Sequence, residues 1–172
     1  MLRKITMAIM ILFCFLLQTT LFRSLAFAGI VPDLLIVLTS AFGFMRGEKE
    51  GLLIGFFSGL LCDIFFGEIL GFQALVYMYI GFLNGKFCKI FYPEDIKLPM
   101  ALITVSDLSY GVICYVLFFL LRGRLDFSFY LRNVIVPEVV YTIVITCLLY
   151  PLALFVNNRL EAFERKRAKK FV

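Results

Sequence analysis

The stretch GLLIGFFSGLLCDIFF (51–66) decides the fold. It is apolar and long enough for a membrane helix, and every fourth position in it is glycine or acid: Gly51, Gly55, Gly59 and Asp63. The same period runs on to Gly47 and Gly43 upstream and to Gly67 and Gly71 downstream, taking seven of the chain's 12 glycines. A spacing of four keeps helical positions on one slowly drifting stripe. A stripe without side chains lets a second helix backbone approach, which matters in lipid, where packing rather than hydrophobic drive brings helices together. The carboxylate ending the stripe is expected to face protein or water, not hydrocarbon. Gly51, Gly55, Gly59, Asp63, Gly67 and Gly71 are therefore candidate positions for helix packing, either within the bundle or with a partner.

The rest of the chain has the same character. Hydrophobic residues make up 62% of its 172 residues and mean hydropathy is +0.98, well above the ~45–50% apolar share of soluble domains. This reads as a single membrane domain over 1–172: an all-α integral membrane protein, a bundle of six transmembrane helices at 5–22, 30–45, 51–66, 72–91, 98–121 and 134–156. The first segment, ITMAIMILFCFLLQTTLF, has no small-residue cleavage site and is expected to be retained. The second and third would reach only ~24 Å at 1.5 Å per residue. A re-entrant hairpin would leave Arg46, Glu48, Lys49 and Glu50 at membrane depth, which is too costly. Both are expected to cross, with local thinning or neighbouring helices making up the difference.

Lys and Arg set the orientation. With the N-terminus inside, only Arg23, Arg122, Arg124 and Arg132 of the 17 basic residues fall outside. Both termini are therefore expected to be cytoplasmic. The tail RLEAFERKRAKKFV (159–172) has its own basic cluster, readable as an anchor on anionic lipid or as a site for a cytoskeletal partner. The net charge of +5 is better explained by the membrane surface than by nucleic acid. In RGRLDFSFYLRN (122–133), Leu125, Phe127, Phe129 and Leu131 alternate, which predicts an extended segment lying in the interface, as an anchor, or pairing with a partner strand.

Polar residues inside the spans carry the functional signal. Asp33, Asp63, Gln73 and Glu138 are expected to converge on the outer half of the bundle, with Asp107 nearer the middle of the fifth helix. Pro32-Asp33 and Pro137-Glu138 each place an acid in a first helical turn, where it can meet exposed N–H groups. Asp63 has no such position and needs hydrogen-bond partners. If it serves only as such a partner, Asp63→Asn should be nearly silent and Asp63→Leu harmful. If its charge or a proton matters, Asn should fail as badly as Leu. Coupling to a proton or cation through Asp63 and Asp107 is the alternative role.

The chain has no histidine, hence no Ser-His triad and no His metal site. Five cysteines lie inside apolar runs without a CxxC pair and read as small buried hydrophobes. There is no phosphate-binding loop, and the surroundings of Asp63 and Asp107 match no carboxylate-protease motif. The chain is not expected to be an enzyme, and no catalytic residue, metal or cofactor is assigned.

Residues 31–85, VPDLLIVLTSAFGFMRGEKEGLLIGFFSGLLCDIFFGEILGFQALVYMYIGFLNG, resemble the rod shape-determining protein MreD family. The resemblance rests on Pro32-Asp33-Leu34-Leu35, on Arg46-Gly47, on the glycine ladder from Gly51 to Asp63, and on the Gly67 to Gly71 turn; the last two helices match in hydropathy alone. It implies a non-catalytic scaffold of the bacterial plasma (inner) membrane that maintains rod cell shape by organising lateral peptidoglycan synthesis. The implied partners are an MreC-like bitopic protein, actin-like MreB, the glycosyltransferase RodA and a transpeptidase. The family is also similar in fold to the substrate-binding subunits of energy-coupling-factor vitamin transporters, so the alternative function is such a subunit. Against that alternative, the chain has no Trp for stacking a planar vitamin, and its outer loops at 23–31 and 67–71 are very short.

Overall fold

The computed structural model describes residues 2–22, 30–67, 69–90, 96–120 and 127–168, which form an all-helical bundle. Helix α1 (Leu2–Leu16) continues through a π-helical stretch, Leu17–Phe22. Then come α2 (Leu34–Arg46), α3 (Glu48–Phe66) and α4 (Phe72–Lys86), the last ending in a 3-10 turn at Phe87–Ile90. Helix α5 (Lys97–Cys114) runs into a second π stretch, Tyr115–Leu120. Helix α6 (Phe127–Tyr130), a third π stretch (Leu131–Ile135) and α7 (Val136–Ala168) follow one another without a break. By length and composition, Arg3–Phe22, Lys97–Leu117 and Ser128–Phe163 are each long and apolar enough to cross a membrane, and α2 is a shorter apolar helix.

Helix α2 is the centre of the bundle, and its ends are set by chemistry legible at single residues. Asp33 caps its start, Oδ1 accepting from the N–H groups of Leu35 at 3.2 Å and Ile36 at 3.1 Å. The helix therefore begins at Leu34 rather than 30. Gly47, at φ +98°, ends α2 and also precedes the first residue of α3, so one residue reverses the chain. Only glycine adopts that conformation without a steric penalty. Every residue from Leu34 to Met45 is buried, enclosed by α1, α3, α4, α5 and α7. A helix of 13 residues reaches ~20 Å. Because its flanks meet protein and not lipid, the hydrocarbon thickness does not dictate its length.

The outward faces are apolar in the manner of a bundle in lipid. Ile5, Ile9, Leu12, Phe13 and Leu16 on α1, and Leu53, Phe56, Phe57 and Ile64 on α3, are exposed. Two boundaries depart from expectation. The extended segment predicted across 122–133 is helical from Phe127 onward, while residues 121–126, with Leu125 among them, lie outside the described residues. Burial accounts for the change: Ile135 is buried against Gly111 of α5, where an added Cβ would stand 3.2 Å from Ile135 Cγ1. Helix α7 also runs to Ala168 rather than 156, and Leu160, beyond the expected end, still packs in the core.

At the end of α2 opposite Asp33, Arg46 ties α2 to α7. Its Nε donates to Asn157 Oδ1 at 2.5 Å and its Nη2 to the Asn157 carbonyl at 3.4 Å. An ion pair between Arg3 and Glu50 joins α1 to α3 nearby. Asn157→Leu is expected to cost about 1.5–3 kcal/mol by removing a hydrogen bond to a charged donor. The check is the thermal midpoint of the purified protein in detergent, and an unchanged midpoint would contradict the tie.

Candidate functional site

The glycine stripe of α3 faces α4 of the same chain. A Cβ built on Gly51 would lie 2.3 Å from the Gly81 carbonyl oxygen, one on Gly55 2.2 Å from that of Tyr77, and one on Gly59 2.4 Å from that of Gln73. The closeness is mutual: a Cβ on Gly81 would meet the Gly51 carbonyl oxygen at 2.1 Å, and one on Gly85 would meet Glu48 Cα at 2.4 Å. Each step of four along α3 is thus matched by a step of four back along α4. Gly43 of α2 joins them, its Cβ position 2.7 Å from the Gly81 carbonyl oxygen and 3.5 Å from Gly51 Cα. Three backbones meet where no side chain would fit, which supplies the contact that lipid cannot drive. Gly81 and Gly85, the other half of this joint, were not singled out in the sequence, although their own spacing of four was present.

Asp63 closes the α3–α4 hairpin. Its Oδ2 accepts from the N–H groups of Gly71 at 3.0 Å and Ala74 at 2.9 Å, and its Oδ1 from that of Gln73 at 3.0 Å. These are N–H groups at the start of α4, which have no partner inside their own helix and sit at its positive end. Gly71, at φ +97°, is the residue that caps α4. Gly67 donates its N–H to the Asp63 carbonyl at 3.0 Å, and a Cβ there would stand 2.7 Å from Asp63 Cα. Gln73 contributes its backbone to this arrangement.

Asp33 does more than cap α2. Its Oδ2 accepts a hydrogen bond from the buried Tyr77 hydroxyl of α4, and the Tyr77 ring meets that of Tyr110 edge-on at 5.3 Å. Asp107 lies on α5 and Glu138 on α7. Asp107 is 2% exposed. The Thr142 hydroxyl of α7 faces Asp107 and is a hydrogen-bond donor beside it. Glu138 does not sit at a free helix start as its Pro-Glu context suggested, because the helix is continuous from Phe127. The π stretch just before Pro137 provides a wider turn where proline cannot donate.

Asp63 accepts from the Gln73 N–H at the start of α4, while Asp33 caps α2 and accepts from the Tyr77 hydroxyl. Toward the other end, the Asn84 side-chain amide of α4 donates to Ser106 Oγ at 2.8 Å and Ser40 Oγ at 3.4 Å, linking α4 to α5 and α2. Among the described residues the cysteines are free, and no group of His, Cys, Asp or Glu is arranged to hold a metal ion.

Compared with known families, the chain matches the rod shape-determining protein MreD over residues 1–158. No curated protein and no solved structure matches it. The match takes in the capped α2, the α3–α4 glycine joint, α5 and most of α7, and on that extent the chain belongs to the MreD family of rod shape-determining proteins.

Proposed function

We propose that this protein is a non-catalytic scaffold of the bacterial inner membrane that organises lateral peptidoglycan synthesis together with MreC-, MreB-, RodA- and transpeptidase-like partners. The family match over residues 1–158 carries the reading. The structure adds support of a physical kind: the small residues of α2, α3 and α4 and the Asp63 carboxylate are used in holding helices together. With α4 seated on the glycine stripe, a bitopic partner's helix would dock on an exposed apolar face, such as Ile5, Ile9, Leu12 and Leu16 of α1. The basic distribution supports cytoplasmic termini.

The test is affinity purification of the tagged full chain from its own cells in a mild detergent, with mass spectrometry of the co-purifying proteins. MreC-, RodA- or transpeptidase-like proteins are expected. A pair of ATPases with a second membrane subunit would overturn the reading in favour of a transporter component.

A further inference from the structure

We propose that the outward face of the α3–α4 hairpin is a bilayer-thinning surface, fitted to phospholipid with acyl chains shorter than those of an ordinary membrane. The inference is independent of the scaffold role. Between Glu50 and Lys86 the only charged residues are Asp63 and Glu68, and Asp63 is taken up by the N–H groups that open α4. The apolar height of the hairpin is therefore set by its helices: residues 51–66 reach ~24 Å and residues 72–85 ~21 Å at 1.5 Å per residue. Both fall short of the ~30 Å hydrocarbon thickness. The rest of the bundle is taller, Lys97–Leu117, of 21 residues, reaching ~32 Å and Ser128–Phe163, of 36, ~54 Å.

Unlike the enclosed α2, this pair has an open, apolar outer side. Leu53, Phe57 and Ile64 of α3 and Leu75, Tyr79 and Leu83 of α4 are exposed. A helix too long for the bilayer can tilt, but a short one gains no height by tilting. Nor can α3 and α4 slide past each other to share the deficit, because Gly51 is held against Gly81 and Gly55 against Tyr77, backbone to backbone. Outward snorkelling of a terminal lysine is the remaining device, and Lys86 does the opposite. Its Nζ lies 4.8 Å from the centre of the Phe82 ring, one turn back along α4 toward the hairpin turn. The charge thus sits nearer the middle of the apolar face than its own Cα, and a headgroup layer that meets it must come inward. Even with the exposed Ile69 and Leu70 of the turn counted, the face is matched by a thin bilayer.

The chain has no Trp, so a single introduced tryptophan reports on the lipid at one place. Phe57 of α3 and Val144 of α7 are each 56% exposed and make matched positions. The full chain carrying Phe57→Trp or Val144→Trp is reconstituted in dibrominated phosphatidylcholine mixed with dimyristoleoyl, dioleoyl or dierucoyl phosphatidylcholine. Relief of bromine quenching gives the relative affinity for each chain length. At Phe57→Trp the short dimyristoleoyl lipid should be preferred over the long dierucoyl lipid at least about twofold, a preference that should vanish or reverse at Val144→Trp. Should Phe57→Trp fail to fold, Leu53→Trp takes its place with the same expectation. Equal affinity for short and long chains on α3, or the same preference on both helices, would overturn the proposal. So would an absence of quenching on α3, which would mean that a second copy or another helix covers the face.

Discussion

Gly55→Leu is expected to abolish accumulation of the folded protein. The obstacle to a Cβ at this position is backbone: the Tyr77 carbonyl oxygen at 2.2 Å, its carbon at 2.6 Å and the Met78 nitrogen at 2.9 Å. A flexible neighbour could turn aside, but a helix backbone can make room only by moving as a whole. The penalty should therefore exceed the ~1–3 kcal/mol of ordinary overpacking. Even Gly55→Ala should be strongly destabilising. Gly71→Ala is the internal control, since nothing lies within 4 Å of its Cβ position and only its φ of +97° opposes the change. That conformation costs about 1–2 kcal/mol, so Gly71→Ala should accumulate with a modestly lowered midpoint. Equal levels of Gly55→Leu and wild type in membranes would remove the close-packed joint from the account.

The second large effect is expected at Asp63. Leucine there would strip three N–H groups of their acceptor at the start of α4, at about 1–3 kcal/mol for each one left unsatisfied. The structure revises what asparagine should do. Because both carboxylate oxygens accept, an amide keeps one acceptor and turns an NH2 group against N–H donors. Asp63→Asn is thus expected to fall between wild type and Asp63→Leu, in place of the near-silence a single hydrogen bond would predict. Thermal midpoints of the three proteins in detergent give the order. An Asn variant as stable as wild type would mean that these contacts carry little of the fold.

Much of this was legible in the sequence because it depended on single residues in a local pattern. The period of four in α3 announced a joint, and Pro32-Asp33 announced the start of α2. An acid within a glycine ladder announced a partner. What the sequence did not reveal was pairing across distance. Nothing local says that Gly81 and Gly85 oppose Gly51 and Glu48, or that Tyr77 reaches Asp33. The alternation at 127–131 pointed to an extended segment, yet burial of Ile135 against α5 and helical continuity with α7 prevailed. Short apolar stretches fit either period, and tertiary packing decides between them.

The central claim is that this chain helps determine cell shape, and the most direct measurement is the length-to-width ratio of its own cells after controlled depletion. The account predicts that depleted cells shorten and round up. Wild type and Gly71→Ala should restore the rod, and Gly55→Leu should not. Cells that keep their rod shape while the protein falls below detection would contradict it.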